Sequence, residues 1–415
     1  MLTPLRHRDF ALLWTGMTVS LVGDGLFYVA IAWQVYTLSN TPTALSLVGV
    51  AQTVPLLVFV LLGGVLSDRF DRRRLMIATD VVRGVSVAAI GLLSVTGTLE
   101  LWHLFALAGL YGAGQAFFWP AFGAITPQIV PRDELVQANS LAQLVRPATM
   151  MFIGPALGGA LIAAFGAGTA FLADAGSFAF SSAMLLLMQA RPLARDGDGE
   201  QSVLRELREG FRFVRAETWL WGTLLMAAVT LLLTWGPWEV LIPYIVKNEL
   251  GGSARDLGLV FGAGGLGSVV ASLVLAQRGL PSRFVTFMYA TWAIGAGLMG
   301  IYAVATASWQ VMLAGAAMNG LFTAGIIVWL TMMQRLVPAE LLGRVKSFDW
   351  LVSSSLVPVS LAITGPIARV LGAGQTMLWA GLVGAAGTVV FLFLPRMRDP
   401  ERDGRLRTEP YVEAA

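Results

Sequence analysis

The apolar residues of this chain are gathered into long blocks, among them Ala44–Leu66, Val85–Leu93, Ala179–Met188 and Leu378–Leu394. Extended by their flanks to roughly 20 residues, such blocks match a hydrocarbon layer about 30 Å thick. A segment that crosses it must satisfy every backbone N–H and C=O internally, which leaves helices or closed barrels. The blocks are continuous rather than alternating, so the expected fold is an all-α membrane protein.

Composition agrees. The chain is 56% hydrophobic and only 13% charged over 415 residues. A water-soluble domain carries about 25% charged residues, so there are too few here to coat a wet surface. Most of the 46 glycines lie inside the apolar blocks. In membranes, small residues let helix backbones approach closely, so the glycines point to a packed bundle. With no cysteine, disulfides and thiol chemistry are excluded, and His7 and His103 are too far apart to form a metal-binding spacing. No metal, cofactor or catalytic residue is expected. No nucleotide-binding loop with lysine is present, and the net charge of +3 is no nucleic-acid footprint.

Spans are read at 11–37, 43–66, 75–97, 101–126, 140–164, 168–190, 218–246, 256–279, 284–306, 309–335, 346–370 and 374–395. The first is too long for a cleaved signal peptide and carries Asp24. Basic residues set the orientation. With the N-terminus inside, 23 of the 28 Lys and Arg are cytoplasmic; Lys247, Arg255 and Arg369 are outside, and Arg83 and Arg146 lie within spans. Both termini are then cytoplasmic, in a cell (inner) membrane. The polar stretch Arg191–Glu217 divides the chain. Asp196–Glu200 reads as flexible, and Ser202–Arg215 as a helix with Val203, Leu207, Phe211 and Val214 on one face. That helix suits either the membrane surface or an ordinary solvated linker. The expected domains are a six-helix bundle over 1–190, a linker over 191–217, a second bundle over 218–395 and a tail over 396–415.

The halves repeat weakly. Val130-Pro131-Arg132-Asp133-Glu134-Leu135 matches Val337-Pro338-Ala339-Glu340-Leu341-Leu342 at an offset of 207, shared by Trp14 and Trp221. Gly154-Pro155 answers Gly365-Pro366 at an offset of 211. Six spans per half joined by an inner loop imply parallel repeats about a pseudo-twofold axis along the membrane normal, with a site between the halves.

Between spans two and three the chain reads Gly63-Gly64-Val65-Leu66-Ser67-Asp68-Arg69-Phe70-Asp71-Arg72-Arg73-Arg74. Positive-inside anchoring explains the arginines but not Asp68. Asp68 can form a charge-assisted hydrogen bond to a facing helix N-terminus or an arginine. Made in only one conformer, that bond would bias an inward/outward equilibrium. The proposed latch comprises Gly64, Asp68, Arg69, Arg72 and Arg73; the corresponding loop from Gln277-Arg278 to Arg283 has no acid. This motif resembles the loop signature of the major facilitator superfamily, with Asp71 where many members have glycine. The form resembles the drug:proton antiporter branch that holds macrolide-efflux proteins and the enterobactin exporter. Gly154-Pro155-Ala156-Leu157-Gly158-Gly159 resembles the end of an exporter motif, with Met150 standing where an earlier glycine is expected. There, Gly154, Pro155, Gly158 and Gly159 form a candidate gating helix, bent at the proline. A kink that serves packing alone is the other reading.

Charges inside spans are functional candidates because hydrocarbon penalises them. Asp24, between Gly23 and Gly25 with Ser20 and Tyr28 four residues either side, is the first candidate proton carrier or substrate contact. Glu239 lies one turn after Trp235, between Pro237 and Pro243. It either lines a route for cationic, aromatic-compatible substrates or is an outer-end carboxylate. Asp80, Arg83, Arg146 and Asp349 read as inner-face pairing groups, and Asp174 is open between roles. Gln115, Trp119, Asn319 and Trp329 complete the candidate cavity. The resemblance covers about residues 5–395 and implies secondary transport by alternating access, with small-molecule substrate and protons as partners, by a monomer in the lipid bilayer. The expected activity is export of a hydrophobic, macrolide-like drug. A siderophore or other metabolite is the alternative substrate, and a non-transporting scaffold or receptor is the alternative of another class.

Overall fold

The computed structural model describes residues 3–131, 134–189 and 203–404; several side chains inside helices, that of Asp68 among them, lie outside the description. Asp196–Glu200 and most of the tail also lie outside it.

Six helices build the first half: α1 (Arg8–Leu38), α2 (Pro42–Arg69), α3 (Arg72–Val95), α4 (Leu101–Ile129), α5 and α6 (Ala167–Leu187). Helix α5 runs Leu135–Arg146, widens into a π-helical stretch at Pro147–Ile153 and continues as Gly154–Phe165. Proline has no N–H to continue the ladder, so one extra residue per turn is accommodated where Pro147 enters. Helix α7 (Val203–Ala216) links the halves. The second half holds α8 (Thr218–Glu249), α9 (Ala254–Arg278), α10 (Phe284–Ala303), α11 (Ser308–Leu336), α12 and α13 (Ala373–Leu392). Helix α8 carries two π-helical stretches, Pro237–Leu241 and Ile245–Glu249, so its prolines widen the helix without breaking it. Helix α12 is Ala339–Ser355 followed by Val357–Leu371.

Eleven of the twelve long helices are apolar enough to cross a membrane by length and composition. The twelfth, α4, is 29 residues long and diluted by His103, Gln115 and several glycines, yet it packs between α2 and α3. The chain is an all-α membrane protein of two six-helix bundles. Local signals place the ends. Asp71 caps α3 by accepting the Arg74 N–H at 3.0 Å, and Ser253 with Asp256 forms a capping box on α9. Gly166 and Gly372 turn the chain between repeat-related spans at φ of 85° and 86°, a conformation that disfavours any side chain.

Each bundle packs within itself: α1 and α3 on α6, α2 and α3 on α4, α9 and α10 on α11, and α8 on α12 and α13. The bundles meet along two seams, α2 with α12 and α5 with α9. These seams exchange under the six-span offset of the repeat, as a twofold axis requires. Both are backbone-close. A Cβ added at Gly365 would lie 2.5 Å from Thr43 Cα, and one at Gly258 would lie 2.8 Å from Gly159 Cα.

Helix α7 docks on the second bundle. Glu209 and Arg344 pair at 3.0 Å, and Phe211 lies 6.2 Å from Phe348 between ring centroids. Val214 is buried while Phe211 is 54% exposed, so the apolar face rests partly on protein.

Candidate functional site

Asp24 sits where three helices converge on α1. The glycines beside it make this possible. A Cβ on Gly25 would press on Gly154 and Pro155 of α5, and one on Gly23 would overlap Asp174 and Ser177 of α6. The Asp24 carboxylate is buried and accepts a hydrogen bond from the Tyr111 hydroxyl of α4 at 2.7 Å. Arg83 and Arg146 lie within electrostatic reach. Asp174 is fully buried beside it; Ser177 donates to Oδ1 at 3.1 Å, while Oδ2 has no partner among the described residues.

Asp80 and Arg83 do pair, one turn apart on α3 and wholly buried. Ser181 donates to the other Asp80 oxygen at 2.7 Å. The guanidinium is sandwiched between Phe118 and Phe178, 4.3 and 4.6 Å from their centroids. A charge in hydrocarbon needs this double provision of counter-ion and π-faces. The other two groups expected to pair do not follow that pattern. Arg146 stacks over Trp119 at 4.8 Å, and its side chain is solvent-exposed although protein surrounds it, as on a cavity wall. Asp349 accepts from the Trp329 indole at 3.3 Å and from Ser353 at 3.4 Å. Arg344, five residues before Asp349, pairs with Glu209 of α7 at 3.0 Å. Sequence distance hides such partners: Glu209 is 135 residues from Arg344.

Of the remaining cavity candidates, Gln115 is half-buried one turn before Trp119 on α4. Asn319 spends its amide N–H on the Gly315 carbonyl at 2.9 Å and packs on Gly264, which makes it a helix-contact residue. Tyr28, Trp235, Trp238, Glu239 and Phe261 collect near the end where α1 stops.

The loop after α2 is built differently from the expected latch in two respects. The glycine pressed on a neighbour is Gly63, against the Ala116 backbone of α4, while a Cβ on Gly64 would meet nothing within 4 Å. The arginines donate to backbone carbonyls toward the C-terminal ends of neighbouring helices, the negative end of each helix dipole. Arg73 donates to the Leu185 and Leu186 carbonyls of α6, both at 2.6 Å, and Arg72 donates to the Ala124 carbonyl of α4 at 2.8 Å. Arg69 is exposed. The motif thus clamps three helices of one bundle together. The Asp68 side chain lies outside the described residues.

Sequence reasoning did not identify the contacts between bundles. Four hydrogen bonds join the halves at the end where α1 stops. Tyr36 donates to the Val240 carbonyl at 2.7 Å, Asn40 to Asn248 at 2.7 Å, and the Gly365 N–H to Ser46 at 3.0 Å. Lys247 reaches the Tyr36 carbonyl and lies 5.1 Å from the Trp33 centroid. In α5, Gly154 serves the contact with α1, and Gly159 the seam with α9.

The family described as transmembrane secretion effector matches residues 1–413. The multidrug efflux pump Tap of Mycolicibacterium fortuitum is 29% identical over 395 residues, covering 91% of this chain and 93% of that protein. Macrolide efflux protein A of Streptococcus pyogenes is 23% identical over 380 residues, covering 90% and 92%. Among solved structures, a bacterial homolog of the human lysosomal transporter Spinster, inward-facing and unoccupied, superposes with a TM-score of 0.68 at 14% identity, covering 98% of this chain and 99% of that one.

Proposed function

Because the chain belongs to the transmembrane secretion effector family of major facilitator transporters, we propose that it exports hydrophobic small molecules from the cytoplasm by alternating access, driven by protons. The observation that carries this is the one-ended closure. The two seams and the Tyr36, Asn40 and Ser46 bonds join the bundles at one end. That end carries only Lys247, Arg255 and Arg369 of the loop basic residues, so it is the outer face, and the cleft opens to the cytoplasm. Both termini are cytoplasmic, and the protein works as a monomer in the inner membrane. The mobile units are 1–190 and 218–395, with 191–217 as linker and 396–415 as tail.

Asp24 is the proton carrier in this reading. It sits inside the first bundle, held by Tyr111 and opposite the exposed Arg146. A carboxyl that gains and loses a proton alters its attraction to Arg83 and Arg146, and with it the packing of α1 on α5 and α6. Gly154, Pro155, Gly158 and Gly159 make α5 the gating helix, and Arg72 and Arg73 hold α3, α4 and α6 as one moving body. Asp68 is the one-sided latch. The similarity to a multidrug efflux pump and a macrolide efflux protein supports drug-like cargo.

The test is flux in proteoliposomes under an imposed pH gradient. Wild type concentrates a lipophilic drug against its gradient, and Asp24→Asn retains binding but loses gradient-driven uptake. Transport indifferent to the gradient, or full coupling in Asp24→Asn, sinks the proton assignment. No flux of any drug sinks the export reading.

A further inference from the structure

Where the bundles touch, four aromatic rings cluster beside one carboxylate. Tyr28 of α1 meets Phe261 of α9 edge-on at 4.9 Å and stacks near Trp238 of α8 at 6.2 Å. Trp238 lies 6.1 Å from Phe261 and 5.6 Å from Trp235. Glu239 is half-buried beside Trp238, with the Trp235 indole one turn away interacting with its carboxylate. Among the described residues no cation pairs with Glu239. Lys247, the next cation along α8, is held two turns further out by the Tyr36 carbonyl and the Trp33 ring. The Tyr28 hydroxyl is buried and has no hydrogen-bond partner among the described residues.

We propose that Tyr28, Trp235, Trp238, Phe261 and Glu239 form a recognition box for lipophilic organic cations, so that the exported cargo is a bulky molecule with a protonated or quaternary nitrogen or its equivalent. The proposal rests on the export reading and narrows its substrate class. Ring faces carry negative potential and attract a cation within about 6 Å of their centroids. A lone carboxylate in apolar surroundings adds a counter-charge, and leaving it unpaired is expensive. An uncharged ligand of the same shape draws on neither term. The box is also split between the bundles. Tyr28 belongs to the first, the other four residues to the second, so separation of the outer ends removes one wall and releases the cargo on that side.

The experiment is equilibrium binding to the purified full chain in detergent, read by tryptophan quenching. Tetraphenylphosphonium is the cation, and triphenylphosphine oxide is its uncharged counterpart. Wild type is expected to prefer the cation by roughly tenfold or more. Glu239→Gln and Tyr28→Leu should each remove most of that preference and leave the oxide unchanged, while Glu239→Asp retains it. Equal binding of the two probes by wild type, no binding of the cation, or parallel loss of both in Glu239→Gln overturns the box. Vesicle flux of an uncharged drug separates the outcomes. Flux with no cation preference refutes this inference alone, whereas no flux of any drug refutes the export reading beneath it.

Discussion

Replacing Gly258 by valine should push the transporter toward its outward-open state. A Cβ at this position lies 2.5 Å from the Pro155 carbonyl oxygen, 2.8 Å from Gly159 Cα and 3.0 Å from Gly159 N, where ordinary contact begins near 3.4 Å. All three obstacles are backbone of α5, so no side chain can swing aside; the helices must part by about 1 Å. Overpacking of this kind costs about 1–3 kcal/mol. The seam exists only while the outer ends touch, so the penalty falls on one conformer and disappears when the bundles separate. The equilibrium should shift by about 5- to 150-fold, at 1.4 kcal/mol per factor of ten. Because the chain contains no cysteine, a single thiol reports without background. Ser46→Cys places that thiol on the other seam at a fully buried position. Its labelling by a membrane-impermeant maleimide, added outside, should accelerate by that factor in Gly258→Val and less in Gly258→Ala. Gly64→Val, where a side chain meets nothing within 4 Å, is the control and should leave the rate unchanged. An unaltered rate in a well-folded Gly258→Val protein would refute the reasoning.

Three further outcomes are expected. Arg83→Ala strands the buried Asp80 carboxylate and should destabilise by about 3–5 kcal/mol in detergent unfolding, with partial recovery in Asp80→Asn/Arg83→Ala. Asp71→Ala removes the α3 cap and should cost about 1 kcal/mol in the same assay. Glu401, which accepts from the Thr286 N–H at 2.8 Å and its hydroxyl at 3.0 Å, caps α10 from the tail segment; Glu401→Ala should lower unfolding stability by about 1–2 kcal/mol without changing substrate affinity.

The spans were legible in the sequence because hydrocarbon allows only one cheap way to hide a backbone, and apolar runs near 20 residues record it. Helix α4 reads less clearly because its core-facing glycines, Gln115 and His103 dilute the apolar signal that lipid-facing positions supply. The repeat was visible in loop residues and reappears as the paired Gly166 and Gly372 turns. The Asp24 environment was half legible. Glycines flanking an intramembrane acid announce close packing, yet nothing local names Tyr111, 87 residues away, as the donor. Arg72 and Arg73 read as membrane anchors because their acceptors are backbone carbonyls, which every residue has and no sequence marks. For the same reason the closure between the bundles stayed hidden: Tyr36 bonds a carbonyl, and Ser46 accepts a backbone N–H 319 residues away.

The two seams also test whether the bundles move as rigid bodies. Related by the pseudo-twofold, they close at the same end, and one rotation of bundle against bundle opens both. A wedge in either seam must then expose the other. Gly365→Val is that second wedge: its Cβ would lie 2.5 Å from Thr43 Cα and 2.8 Å from Thr43 N, again backbone. Ala254, on the opposite seam and 3% exposed, is the matching probe position. If the motion is one rotation, Gly365→Val should accelerate outside labelling of Ala254→Cys about as much as Gly258→Val accelerates Ser46→Cys. With both wedges present, the closed state carries both penalties and one opening relieves both, so the penalties add while the open state pays neither. The double variant should therefore multiply the two accelerations until the open state dominates. Exposure confined to the wedged seam would mean that α5 and α12 flex individually at Gly154-Pro155 and Gly365-Pro366, and that the gate is a pair of bending helices rather than a rocking bundle.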